Sequence, residues 1–194
     1  MRRAGENRDM HKLLSPLARR GWLVAALGVL TVGIFVLMQV LFASRMAALP
    51  DGFLYYTSGT LISSLDALGP SGRLLYLYLH ILDMVLPLAY GLFMALVVVR
   101  LWGMRGGAVK TASVLSVLPL VAAFFDYAEN VCIRVVSALF SGGRTSADIV
   151  ALNPLAASLA GFATAGKWTF CAISVLAILA GVVFWITRRV KRRA

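Results

Sequence analysis

The chain has 194 residues, of which 60% are hydrophobic and only 14% charged, and its mean hydropathy is +0.85. Such a composition excludes an ordinary soluble domain and points to a membrane protein. The net charge of +11 does not indicate nucleic-acid binding, because 14 of the 19 basic residues sit beside the ends of apolar runs and no aromatic-plus-basic groove pattern accompanies them.

Residues 1–20 form a basic segment carrying Arg2, Arg3, Arg8, Lys12, Arg19 and Arg20, with a short surface helix expected from Ser15-Pro16 onward. The first apolar run, 21–43, is too long for a signal-peptide core and reads as a retained transmembrane helix with Trp22 at the interface. Leu49-Pro50-Asp51-Gly52 then reads as a turn, and Phe53, Tyr55 and Tyr56 as an interfacial aromatic cluster. Thr57 or Ser58 is placed to cap a short external helix bearing Leu61, Ile62, Leu65 and Leu68, which Gly69-Pro70 ends.

The second and third spans are expected at 73–101 and 111–139. Their short link around Met104 and Arg105 makes them antiparallel neighbours. A second external loop runs from Ser141 to Asn153-Pro154, and the fourth span occupies 156–187, followed by a basic tail at 188–194. Arg100, Arg105 and Lys110 put the link on the same side as both termini, and the positive-inside rule makes that side cytoplasmic. The expected fold is therefore all-α: a four-helix transmembrane bundle with one external helix between the first two spans.

Ionisable side chains within spans cost at least about 2.5 kcal/mol each at the bilayer centre on insertion scales, so they mark candidate sites. On the second span Arg73, Tyr76, His80, Asp83, Pro87 and Tyr90 recur in steps of three or four and share one stripe. On the third, Asp126, Glu129, Asn130 and Arg134 do the same. Asp83 and Asp126 are equidistant from the hairpin tip, as are His80 and Glu129. At about 1.5 Å per residue the two aspartates lie roughly 25 Å from the basic link.

Pro87 withholds a hydrogen bond from the Asp83 carbonyl, and Pro119 disturbs the third span in the same way. Asp83, Asp126, His80 and Glu129 are thus the candidate acid–base residues. Arg73, Tyr76, Tyr90, Asn130, Arg134 and Lys167 are the candidate ligand-binding residues, although Lys167 could instead snorkel to the interface.

Cys132 and Cys171 lack metal-ligand or CxxC spacing, so neither a metal nor another cofactor is expected. The expected partners are membrane lipids, including anionic head groups at the cytoplasmic face, and a homo-oligomer is left open, since four helices are few for a transporter.

The sequence Gly69-Pro70-Ser71-Gly72-Arg73, followed by Tyr76, Asp83, Pro87, Tyr90 and Asp126-Tyr127-Ala128-Glu129-Asn130, resembles an uncharacterised family of small bacterial four-helix integral membrane proteins. The resemblance covers roughly residues 66–130. It implies the four-helix fold and a shared polar site, and no particular activity; the expected location is a bacterial inner membrane.

Three functions fit the residues: a site that binds or acts on a lipid-like or amphipathic molecule, a small proton-coupled transporter or transporter subunit, and a membrane scaffold whose polar cluster is structural. Whether any reaction occurs is left open by the sequence.

Overall fold

The computed structural model describes residues 9–42, 53–105, 108–152 and 154–191. The basic residues Arg2, Arg3, Arg8, Arg192 and Arg193, the turn at 49–52, the Gly106-Gly107 pair and Asn153 lie outside the described residues.

The chain is an all-α polytopic membrane protein, with no strand among the described residues. In order, the α-helices are α1 (Asp9–Arg19), α2 (Gly21–Phe42), α3 (Ser58–Ala67), α4 (Gly69–Asp83), α5 (Leu86–Val98), α6 (Val109–Leu115), α7 (Leu118–Ser141), α8 (Ser146–Leu152) and α9 (Pro154–Lys191), with a π-helical segment, Val99–Arg105, following α5. Four stretches are long and apolar enough to cross a membrane: Gly21–Leu41, Gly69–Gly103, Val109–Ser141 and Leu155–Lys191.

Several local features differ from the sequence reading. Helix α1 begins by Asp9, well ahead of Ser15-Pro16, and carries Pro16 inside it. The end of the second span is π-helical over Val99–Arg105, so helical structure continues past the expected boundary at 101. Within the expected external loop, Thr145 and Asp148 build a reciprocal cap that starts α8. The Thr145 backbone N–H and hydroxyl both donate to Asp148 Oδ2 (2.9 and 2.6 Å), and the Asp148 N–H donates to Thr145 Oγ1 (3.3 Å).

Contacts divide the chain into two compact units. One comprises Met1–Val32, Leu88–Ala123 and Thr169–Ala194. Its core gathers Leu14, Ala18, Val24, Ala95, Leu96 and Val99. Helix α1 is amphipathic: Leu14 and Ala18 are buried while Leu13 is exposed, and Arg100 donates to the Ala18 carbonyl in the last turn of α1 (3.4 Å). Trp102 donates to the Ala177 carbonyl (2.9 Å) and stacks on Phe184 with ring centroids 5.2 Å apart. Arg188 and Arg189 lie over Phe184 and Trp185, a basic–aromatic arrangement suited to a membrane interface.

The other unit comprises Gly33–Pro87 and Phe124–Trp168. Its core brings Leu61, Ile62 and Leu65 of α3 together with Tyr76 and Leu79 of α4, Ile133, Val136 and Phe140 of α7, and Ile149 of α8. Thr57 caps α3 as expected, its hydroxyl accepting from the Thr60 N–H (3.2 Å). Gly69, at φ +64°, allows the left-handed turn from α3 straight into α4, with Pro70 in the first turn where no N–H is needed.

Both prolines fall just past a helix interruption. Helix α4 ends at Asp83 and α5 starts at Leu86, one residue before Pro87. Helix α6 ends at Leu115 and α7 starts at Leu118, one residue before Pro119. Proline is best accommodated in a first turn, so each span restarts around it.

Candidate functional site

The described polar cluster lies within the second compact unit. Four of its members sit deep: Glu129 and Asn130 are fully buried at 0% exposure, and Asp126 and His80 retain 4% and 3%. Burial of this degree requires a carboxylate to be paired and hydrogen-bonded.

Glu129 meets that requirement from three directions. Tyr56 Oη donates to Oε1 at 3.0 Å, Thr164 Oγ1 reaches the same oxygen at 2.6 Å, and Lys167 Nζ lies 2.5 Å from Oε2. Thr164 also approaches the Ala160 carbonyl at 2.9 Å, and because a hydroxyl has one hydrogen it serves one acceptor at a time. Lys167 reaches a second carboxylate as well, Asp126 Oδ1 at 3.1 Å. The Lys167 side chain therefore bridges two acidic residues one helical turn apart on α7.

Tyr56 is 3% exposed, whereas its neighbour Tyr55 is 52% exposed. The expected interfacial aromatic cluster is thus split, and Tyr56 turns inward to the acid. Gly161 makes this approach possible, since a β-carbon there would collide with the Tyr56 carbonyl oxygen.

On α4, Tyr76, His80 and Asp83 are all buried. His80 Nδ1 lies 3.2 Å from the Tyr76 carbonyl, and a carbonyl only accepts, so that bond places a hydrogen on Nδ1. The His80 and Tyr76 rings meet edge to face with centroids 4.4 Å apart. Asp83 is the last residue of α4. At the interruption beyond it, Tyr127 donates to the Met84 carbonyl at 2.7 Å, satisfying an acceptor that a broken helix exposes.

Arg73 donates to the Leu65 carbonyl at 3.0 Å, and its guanidinium lies over the Phe140 ring at 4.6 Å. Arg134 is half-buried on α7, with its Nε enclosed and without a hydrogen-bond partner. Asn130, one turn away, has neither amide atom hydrogen-bonded among the described residues. Tyr90 lies on α5, within the first compact unit.

The described contacts of Asp126 and Glu129 therefore run to α9 and to the segment preceding α3. Sequence reasoning included Lys167 but missed Tyr56, Thr164 and Tyr127. The pattern Gly161…Thr164…Lys167, in steps of three along one helical face, was the available signal for α9. Among the described residues, no group of three or more His, Cys, Asp or Glu side chains is arranged to hold a metal ion.

No protein-family model matches the chain, and neither a curated protein nor a solved structure matches it. The chemistry of the site is accordingly read from its own residues.

Proposed function

We propose that this multi-pass membrane protein binds, or by acid–base chemistry acts on, a lipid-like or amphipathic small molecule at the polar face of α4 and α7. The observation that carries this reading is Asn130, fully buried with both amide atoms unpartnered among the described residues. Each buried, unmade hydrogen bond costs about 1–3 kcal/mol. A helix kept only for packing would be more stable with an apolar residue there.

The ion pairs by themselves suit a purely structural cluster, because Lys167 and its two acids satisfy one another. Asn130 separates the two readings. In the proposed division of labour, Glu129 is the fixed anion that orients Lys167. Asp126 and Asp83 exchange protons with the ligand, and His80 tunes them.

The proposed setting is a bacterial inner membrane with both termini in the cytoplasm. There the basic flanks at Arg19, Arg20, Arg188 and Arg189 attract anionic head groups. The site then opens toward the external half of the bilayer. Cysteine labelling from each side of intact cells tests this orientation, and external labelling of either terminus contradicts it.

The ligand reading is tested by Asn130→Leu, a nearly isosteric change. Protein purified in mild detergent is compared with wild type by mass spectrometry of co-purifying lipids and by thermal unfolding. A variant of equal or higher stability that has lost a bound species supports the reading. An unchanged lipid complement contradicts it and leaves the cluster as scaffold.

A further inference from the structure

We infer that a groove between α4 and α7, framed by Arg73 and Arg134, holds the phosphate group of a phospholipid-like amphiphile. This rests on the ligand-binding reading above and names its ligand class.

The groove has a volume of about 560 Å³, and its lining includes Pro70, Arg73, Leu74, Leu77, Arg134 and Ser137 but no acidic residue. Among the described residues no carboxylate pairs with either arginine. Two uncompensated guanidinium groups beside a hydrocarbon environment are costly, and an oxyanion relieves that cost while accepting several N–H bonds at once.

The two arginines are prepared differently. Arg73 is fixed by the Leu65 carbonyl and the Phe140 ring, which engages only one of its five N–H donors in a hydrogen bond. Arg134 has an enclosed Nε without a partner, and Asn130 repeats that unmet demand one turn along α7 on the same stripe. Both arginines line the groove, and Ser137, also on its wall, carries a neutral hydroxyl.

Free phosphate would satisfy these donors too. The surroundings favour an amphiphile, because Leu74, Leu77 and Ile81 on α4 and Val131 and Val135 on α7 are exposed apolar residues that continue from the arginines along both helices. An acyl chain attached to the bound phosphate has an apolar track to follow. Head group and chain then match the charge and the apolar surface in order.

The test is native mass spectrometry of the full chain in neutral maltoside micelles, titrated with phosphatidylglycerol, with the diacylglycerol of the same chains, and with inorganic phosphate. Phosphatidylglycerol is expected to bind most tightly, and Arg134→Gln to weaken it roughly tenfold, as expected for a lost charge-assisted bond.

Because Arg134 makes no described hydrogen bond or ion pair, this substitution removes neither, and thermal unfolding verifies the fold. Arg134→Lys, which keeps the charge and loses the fork, is expected to fall between the two and serves as the second variant.

Equal binding of phosphatidylglycerol and diacylglycerol, or unchanged binding by Arg134→Gln, overturns the inference. Inorganic phosphate binding as tightly as the lipid overturns the amphiphile assignment. Loss of phosphatidylglycerol in Asn130→Leu with retention in Arg134→Gln removes the groove and keeps the ligand-binding reading. Retention in both removes both.

Discussion

Lys167 of α9 and Glu129 of α7 form an ion pair at 2.5 Å around a carboxylate with no exposed surface, and the same ammonium lies 3.1 Å from Asp126. Removing one partner of a buried pair leaves an uncompensated charge, which costs about 3–5 kcal/mol. Lys167→Met is therefore expected to destabilise the folded chain by that order, read from denaturant unfolding in micelles. Lys167→Met combined with Glu129→Gln is expected to recover part of the loss. Unchanged unfolding in the single variant would show that the acids do not depend on the lysine.

Tyr56 and Thr164 share one acceptor, Glu129 Oε1. Tyr56→Phe and Thr164→Val are each expected to cost roughly 1.5–3 kcal/mol, the range for hydrogen bonds to charged groups. Because the two donors serve the same oxygen, the double variant is expected to depart from additivity in a double-mutant cycle. Strict additivity would mean that the two bonds to Glu129 Oε1 act independently of each other.

The four spans were legible because run length and flanking charge report directly on the bilayer. The cap at Thr57 was legible for a similarly local reason. Lys167 was not settled, because a lysine on a long apolar helix either snorkels or pairs according to how the helix is rotated. That rotation is set by contacts such as the one Gly161 permits to Tyr56. Tyr56 itself looked like its exposed neighbour Tyr55, and only tertiary placement separates them. Helix α8, at seven residues, is too short to show a period, although its Thr145–Asp148 cap was present in the sequence.

Two glycines are expected to respond in opposite directions. Gly161→Ala forces a β-carbon into the Tyr56 carbonyl and is expected to lower the thermal midpoint clearly. Gly33→Ala, with nothing within 4 Å of the new carbon, is expected to be neutral or to gain up to about 1 kcal/mol from helix propensity. Thermal unfolding of both variants in one detergent makes the comparison, and equal destabilisation would contradict the packing at Gly161.

The two Thr145 bonds hold the Asp148 carboxyl below its ordinary value, with Arg144 assisting. A depressed folded-state value contributes stability that is present above the ordinary aspartate pKa of about 3.9 and is lost as pH falls through the lower, folded value. The protection factors of the α8 amides, corrected for the pH dependence of intrinsic exchange, are expected to hold down to about pH 4 and to fall below it. In Asp148→Asn the pH dependence is expected to disappear, and its persistence would assign the effect to another group.

The placement of the bridging lysine also fixes an order of events during synthesis. The third span, with the lowest hydropathy of the four at 1.6, leaves the ribosome carrying Asp126 and Glu129 before Lys167 has been translated. Its counter-charge arrives only with the fourth span, so stable residence of the third in the membrane is contingent on the next segment. Chains stopped ahead of α9 should therefore leave the third span poorly integrated, whereas chains extended through Lys167 should retain it. Insertion of the third span is thereby expected to be coupled to that of the fourth.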